Sequence, residues 1–171
     1  MHPLFALGAP TYALDRVQWI PRPIDEVFGF FEDPRNLALI TPPWLDFRIV
    51  AMEPDVIRNG TSISYRLKWF GIPYRWKTLI MEWQPNARFV DTQVQGPYIF
   101  WHHTHTFEAE EEGVTVHDHV LYRLPFGPLG SLLHAALVRR QLAGIFDYRA
   151  GKIAELLADG KVYSSPLRGG N

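Results

Sequence analysis

The chain has 171 residues, of which 47 % are hydrophobic and 20 % charged, and its formal net charge is −1. This composition indicates one globular domain, and the balance of 17 basic and 18 acidic residues lacks the basic excess typical of nucleic-acid binders. The sequence contains no cysteine, which excludes disulfides, iron–sulfur clusters and cysteine nucleophiles. We expect a single domain over residues 1–171, with its core at about 11–158 and loose termini at 1–10 and 159–171.

One strand and two short helices are predicted first. Tyr12–Ile20 alternates in a way typical of a strand. Ile24–Glu32 then carries apolar residues at helical spacing. A second short helix is predicted at Asn36–Ile40, where it is followed by Thr41-Pro-Pro43.

A long β region occupies the middle of the chain. Turn signals such as Asn59-Gly60, Gly71-Ile-Pro73 and Gln84-Pro-Asn86 separate its strands. The predicted strands are Leu45–Met52, Thr61–Phe70, Tyr74–Trp83, Arg88–Gln95, Tyr98–Ala109 and Val114–Leu124. A helix is predicted at about Leu129–Ala158, because apolar residues recur there with a period near 3.6. This order predicts an α+β domain in which a bent antiparallel sheet wraps the long helix, leaving space for a cavity.

Strand alternation places polar side chains among aromatic ones on the inward faces of the predicted sheet. These polar residues are Tyr65, Asp91, Gln93, His103, His105, Asp118 and Tyr122. His117 and His119 fall on the opposite, outward face. A buried polar group without a partner costs about 1–3 kcal/mol, so the inward set must form either an internal network or a ligand site.

Several segments resemble one known superfamily. They are Pro23-Ile-Asp-Glu-Val-Phe28, Asn36-Leu with Ile40-Thr-Pro-Pro43, Gly71-Ile-Pro73 with Trp76, Phe89-Val-Asp-Thr-Gln93, and Gly96-Pro-Tyr98 with Trp101-His-His-Thr-His105. Together with the order of elements over residues 11–158, they resemble the START/polyketide-cyclase (SRPBCC) superfamily, and within it the bacterial "ligand-binding SRPBCC domain" branch. The resemblance implies a helix-grip fold: a seven-stranded antiparallel sheet around a long C-terminal helix, with two short helices between strands 1 and 2. It also implies binding of bulky apolar molecules, and some members cyclise or dehydrate polyketides.

His103 and His105 are the strongest candidates for chemistry. Two residues apart on a strand, they point the same way with Cα atoms ~6.5–7 Å apart. Such a pair could hold zinc if Asp118 supplied a third ligand. The pair could instead form a hydrogen-bonded network with Asp118, Tyr122 or Asp91, or it could contact a ligand. It could also act as an acid–base group, since imidazole titrates near pH 6.5. We predict no metal and no other cofactor.

Asp91 and Arg149 are predicted to lie close together. Asp91 could orient a histidine or form an ion pair with Arg149 from the long helix. Arg149 could instead bind a ligand carboxylate with two parallel hydrogen bonds.

The leading hypothesis is binding of a small hydrophobic or amphipathic molecule between sheet and helix. The predicted contacts are Tyr65, Trp69, Trp76, Gln93, Trp101, His103, His105, Tyr122, Phe146 and Arg149. One alternative is a polyketide cyclase/dehydratase-like enzyme, a lyase, in which His103 or His105 acts as base and Asp91 or Asp118 orients it. Another is an interaction module with a filled core, whose sign would be an interior without a pocket above roughly 300 Å³. Whether the protein is an enzyme stays open.

No segment predicts membrane insertion or export. No apolar run approaches ~18 residues, and residues 1–10 lack the pattern of a secretory leader. We therefore expect a cytoplasmic protein whose partner is a small hydrophobic molecule. Neither nucleic acid nor a membrane is expected as partner, and the sequence does not predict the oligomeric state.

Overall fold

A computed structural model describes residues 10–125, 131–132 and 134–158. Within these ranges seven strands form one antiparallel sheet in the order β1-β7-β6-β5-β4-β3-β2. The strands are β1 Tyr12–Ile20, β2 Arg48–Glu53, β3 Ser62–Trp69, β4 Ile72–Gln84, β5 Arg88–Gln95, β6 Phe100–Ala109 and β7 Val114–Arg123. Apart from residue 10, the predicted loose termini lie outside the described residues, and so does the predicted helix start at Leu129.

Helices account for the rest of the architecture. Helices α1 (Ile24–Glu32) and α2 (Pro34–Leu39) connect β1 to β2, and a 3₁₀ turn at Pro43–Leu45 follows them. A π-helical turn at His134–Val138 leads into α3 (Arg139–Ala158). The sheet, the two short helices and the long C-terminal helix confirm the predicted α+β helix-grip fold. No helix among the described residues is long and apolar enough to cross a membrane.

The β3–β4 hairpin differs from its prediction. Phe70 and Gly71 form a two-residue loop between the paired residues Trp69 and Ile72, with φ angles of 50° and 77°. Two positive φ angles define the type I′ turn, whose twist matches that of the flanking strands. Phe70 therefore belongs to the turn and not to the strand. Pro73 lies within β4, beyond the part of that strand that pairs with β5.

The cross-strand register positions the polar residues of the sheet. Asp91 on β5 lies directly opposite His103 on β6, and Asp118 on β7 lies directly opposite His105. Directly opposed residues of antiparallel strands share a face, so all four side chains point into the same layer. The predicted outward orientation of His117 is confirmed, since 40 % of its side chain is exposed.

The interior contains two clusters of packed side chains. The aromatic cluster includes Trp76, Tyr98, Trp101, Tyr122, Leu142 and Phe146. The phenylalanine cluster includes Val27, Phe28, Phe30, Phe89, Phe107 and Ile153. The side chains of α3 join both clusters, so this helix is packed along the sheet for most of its length.

Candidate functional site

A cavity of about 200 Å³ lies between the sheet, the two short helices and α3. Eight of the ten predicted ligand contacts line it, namely Tyr65, Trp69, Trp76, Trp101, His103, His105, Phe146 and Arg149. Asp91 lines it as well. The remaining wall is mainly apolar and includes Phe31, Leu37 and Leu45 from the segment between β1 and β2. Phe31 and Leu37 could not be assigned to the wall from the sequence, because alternation along strands does not orient helices across a sheet.

Gln93 and Tyr122, the other two predicted contacts, lie outside the lining of this cavity. The Gln93 side-chain amide donates to the Tyr98 carbonyl at 2.7 Å, and its oxygen accepts from the Tyr98 N–H at 3.3 Å. The Tyr122 hydroxyl hydrogen-bonds to His134 Nε2 at 2.8 Å and lines a second, more polar cavity of about 410 Å³. Burial, together with Tyr12, raises the pKa of Tyr122 to about 12. Both side chains thus have partners within the protein.

Four side chains form a buried cluster, which we call the quartet: Asp91, His103, His105 and Asp118. On one side of the imidazoles, Asp118 Oδ1 lies 2.9 Å from His103 Nε2 and 2.6 Å from His105 Nδ1. The first contact is a hydrogen bond, whereas the second is a close polar contact without hydrogen-bond geometry. On the other side, Asp91 Oδ2 lies 3.5 Å from His103 Nδ1 and 3.4 Å from His105 Nε2.

The two carboxylates therefore differ in position. Asp91 lines the cavity and Asp118 does not. Both carboxylates were expected beside the histidines, but the side of the rings on which each lies depends on the folded structure. Asp118, considered from the sequence as a third ligand beside His103 and His105, lies on the side of the rings away from the cavity.

The electrostatics of the quartet separate the two histidines. Burial, together with the charge of His105, lowers the pKa of His103 to about 4. Burial also opposes charge on His105, but Asp118 and Asp91 outweigh it and raise the pKa of that ring. For both carboxylates burial acts to raise the pKa, but the histidines outweigh it and lower the pKa, most strongly for Asp118. Near neutral pH His103 is thus neutral, whereas the carboxylates on either side of His105 favour its charged form.

Aromatic rings enclose the quartet. The His103 and His105 ring centroids are 3.7 Å apart. Phe89 stacks on His105 with centroids 4.0 Å apart, and Phe146 meets His103 edge-on at 5.6 Å. Because Phe89 belongs to the phenylalanine cluster and Phe146 to the aromatic cluster, the quartet lies at the junction of the two.

Arg149 brings a further charge to the cavity wall. Its guanidinium carbon lies 5.6 Å from the Phe31 ring centroid and 5.9 Å from that of Phe146, and its buried Nε has no hydrogen-bond partner. The predicted ion pair with Asp91 does not occur within 4.0 Å among the described residues, although the charge of Arg149 contributes to lowering the pKa of Asp91.

Thr78 is a buried wall residue that the sequence analysis did not single out. Its Oγ1 accepts the Trp76 indole N–H at 3.0 Å and lies 2.6 Å from the Tyr65 hydroxyl. Burial, together with Asp91, raises the pKa of Tyr65. The polar ends of Tyr65 and Trp76 are thus held within the wall. The alternation of β4 contained the signal, because it places Thr78 on the same face as Trp76.

The volume of the cavity limits its ligand. About 200 Å³ is below the roughly 300 Å³ at which ordinary ligand sites begin. For the cavity between sheet and helix, volume alone thus favours the filled-core alternative, whereas the separate polar cavity beside Tyr122 exceeds that limit at about 410 Å³. The unpaired Arg149 Nε on the wall points the other way, because a fully packed core normally satisfies its polar groups.

Part of the quartet also has the spacing of a metal site. Asp91, His103 and His105 each offer one ligating atom, and these atoms lie within 4.8 Å of one another.

Solved structures share this fold. The di-domain ARO/CYC StfQ from the steffimycin biosynthetic pathway is similar with a TM-score of 0.70 and 14 % identity over 88 % of this chain and 51 % of that one. The present chain thus spans about half the length of StfQ. Norcoclaurine synthase from Thalictrum flavum is similar with a TM-score of 0.68 and 11 % identity over 93 % of each chain. TTHA0849 from Thermus thermophilus is similar with a TM-score of 0.63 and 21 % identity over 89 % of this chain and 99 % of that one.

Sequence identities this low between solved structures establish only the fold. A search of curated proteins gave no match. A family model provides the assignment. The model described as "polyketide cyclase / dehydrase and lipid transport" matches residues 20–146, from the end of β1 into α3. The match covers most of the chain and agrees with the predicted superfamily, and the protein therefore belongs to the polyketide cyclase / dehydrase and lipid transport family.

Proposed function

We propose that the protein binds a small, mainly apolar organic molecule in the cavity between the sheet and α3. The observation that carries the proposal is the lining: an apolar and aromatic wall with Asp91, His103 and Arg149 converging on it. Small-molecule sites combine such a wall with a few polar groups that fix the orientation of the ligand. Family membership supports the same function, since the family description names cyclases, dehydrases and lipid transport.

The cavity volume restricts the ligand to one or two rings. An apolar cavity of about 150 Å³ in another protein holds benzene. A cavity of about 200 Å³ has room for a substituted benzene or a naphthalene-sized molecule, but not for a long polycyclic chain. We propose that the rings of the ligand lie among Trp76, Trp101 and Phe146.

Arg149 sets the polar end of the ligand. Its unpaired Nε and its position over Phe31 leave a donor beside an apolar surface. A ligand hydroxyl or carboxylate would satisfy this donor, and hydrogen bonds to charged groups contribute about 1.5–3 kcal/mol. The proposed ligand is therefore an aromatic or alicyclic alcohol or acid of this size.

Calorimetric titration with 2-naphthol and 2-naphthoate tests the proposal. Ile145 lines the cavity on α3, so Ile145→Phe should reduce binding at least about 10-fold by filling the space. Ala154→Phe adds the same ring at an exposed position on α3 and should bind like the unsubstituted protein. Absence of binding by the unsubstituted protein, or equal binding by both variants, would contradict the proposal.

A second candidate function is acid–base catalysis on such a ligand. The observation that favours it is His103, which lines the cavity while Asp118 orients the ring through a 2.9 Å hydrogen bond. With its pKa lowered to about 4, the oriented His103 ring is in its neutral, proton-accepting form near pH 7 and is positioned to accept a proton from the carbon next to a carbonyl group.

Deuterium exchange at the carbon next to the carbonyl of 2-tetralone, followed by NMR in D₂O, tests this function. His103→Gln should reduce catalysed exchange about 100-fold or more. His117→Gln on the outer face should leave it unchanged. If His103→Gln keeps its 2-naphthol affinity but loses exchange, His103 is needed for the proton transfer and not for binding. Unchanged exchange in His103→Gln would exclude His103 as the base.

A further inference from the structure

We propose that Asp91, His103 and His105 form a three-ligand site for a divalent first-row transition-metal ion, with Asp118 in contact with both imidazoles from behind. The inference goes beyond the proposed function, because an ion would bind there without any organic ligand. It also differs from the site considered in the sequence analysis, where Asp118 was the third ligand.

Two of the three distances between the ligating atoms match a tetrahedral ion, and the third lies within 4.8 Å. Metal–nitrogen and metal–oxygen bonds of about 2.1 Å place neighbouring tetrahedral ligand atoms about 3.4 Å apart. Asp91 Oδ2 lies 3.4 Å from His105 Nε2 and 3.5 Å from His103 Nδ1. Both separations are long for hydrogen bonds, yet both are those of ligands that share one ion.

Asp118 supplies the support that metal-binding histidines usually have. A ligating imidazole donates its second ring N–H to a carboxylate, which fixes the ring orientation and makes the ligand more basic. Here the second nitrogens are His103 Nε2 and His105 Nδ1, and both lie within 2.9 Å of Asp118 Oδ1. Asp118 thus hydrogen-bonds to the far side of His103 and is in close polar contact with the far side of His105.

The three ligands face the cavity, whereas Asp118 does not. Two histidines and one carboxylate leave a coordination position open towards any molecule inside, as in catalytic zinc sites and two-histidine-one-carboxylate iron sites. Arg149 places a positive charge on the same wall, but the carboxylates of Asp91 and Asp118 together offset the two charges of the ion. Arg149 would then favour an anionic group, such as a ligand carboxylate, at the open position.

Titration of the untagged, chelator-treated protein with Zn²⁺ alone, and with Co²⁺ followed by its visible absorption, tests the site. We expect one ion per chain. The bound Co²⁺ should absorb intensely in the visible range, as an ion with few ligands does. Asp91→Ala and His103→Ala should each weaken Zn²⁺ binding at least about 100-fold. Asp91→Asn keeps the side-chain volume and serves if Asp91→Ala does not fold, as judged by near-UV circular dichroism.

The outer face provides a matched control. His117 and His119 form a second His-x-His pair on β7, with exposed side chains beside the carboxylates of Glu108 and Asp15. The double variant H117A/H119A should bind Zn²⁺ with unchanged affinity. If this variant loses the ion while Asp91→Asn keeps it, binding is a surface event and the proposal fails. It fails also if the unsubstituted protein binds Zn²⁺ more weakly than about 100 µM.

Discussion

Asp91 and Asp118 are two carboxylates on the same pair of imidazoles, yet their surroundings differ. Asp118 contacts both rings at 2.9 Å or less and is excluded from the cavity, whereas Asp91 stays 3.4 Å or more from both and lines it. The short contacts lie on the closed side of the rings, and the long contacts lie on the cavity side, where His105 Nε2 makes a long hydrogen bond to Asp91. The comparison shows that side-chain type and strand register do not determine the role of a buried carboxylate.

Replacing Asp118 should have the largest effect on stability. Asp118→Ala leaves His105 without its nearest counter-charge, and breaking a buried ion pair costs about 3–5 kcal/mol. We expect the free energy of unfolding, measured by urea denaturation at pH 7, to fall by this amount. A loss below about 1 kcal/mol would show that Asp118 does not hold the rings.

Thr78 is the uncharged counterpart of Asp118, since its single oxygen serves two buried neighbours. Thr78→Val keeps the shape but leaves the Trp76 indole N–H and the Tyr65 hydroxyl without this partner. We expect the free energy of unfolding to fall by about 2 kcal/mol in urea denaturation, less than for Asp118→Ala because no charge is left unpaired. A larger loss than that of Asp118→Ala would reverse the ranking.

Asp91→Ala should affect stability less than either of these changes. Its contacts are long and it faces the cavity, so we expect a loss of about 1 kcal/mol in the same denaturation experiment. Zn²⁺ affinity, in contrast, should fall more for Asp91→Ala than for Asp118→Ala, because Asp91 is the proposed ligand. Equal losses of stability for Asp91→Ala and Asp118→Ala would remove the distinction between the two carboxylates.

Asp33 provides the reference outside the quartet, since its side chain is 11 % exposed and its partner Arg35 is 61 % exposed. It caps α2 by accepting the Arg35 N–H at 2.9 Å, and the side-chain hydrogen bond from Arg35 holds its pKa below the usual 3.8. Asp33→Asn retains a capping oxygen, so we expect a loss of about 0.5 kcal/mol or less at pH 7. Because the folded pKa is the lower one, the contribution of Asp33 is present above about pH 4 and is lost as the pH falls through its folded value.

Thermal unfolding of both proteins at pH 7 and pH 3 checks this last prediction. The difference in midpoint between Asp33→Asn and the unsubstituted protein should shrink at the lower pH. A difference that grows on acidification would mean that Asp33 is not stabilised by Arg35 in its charged form.

Much of the fold could be predicted from the sequence, because alternation and turn residues act locally. The pattern from Trp101 to Phe107 gave the buried face of β6, and Asn59-Gly60 marked a turn with Gly60 at a φ of 86°. Phe70 was assigned to a strand because its apolar side chain says nothing about a positive φ.

The site was less predictable, since it depends on distances across the fold. Sequence placed Asp91 and Asp118 with the histidines but not on opposite sides of them. Gln93 was expected to face a ligand, whereas a local hydrogen bond to Tyr98 determines its direction. The volume of the cavity depends on how α1, α2 and α3 pack, which no pattern along one strand contains.

The cavity borders some strands of the sheet more than others. Phe107 on β6 lies outside the cavity lining and packs against Phe28, with ring centroids 5.1 Å apart. The inward residues of β3, in contrast, all line the cavity: Ile63, Tyr65, Leu67 and Trp69. We expect opening motions to begin at β3, where the cavity replaces packed neighbours. Amide protons of β3 should therefore exchange with solvent sooner than those of β6 near Phe107, and a ligand in the cavity should slow the exchange of β3 most.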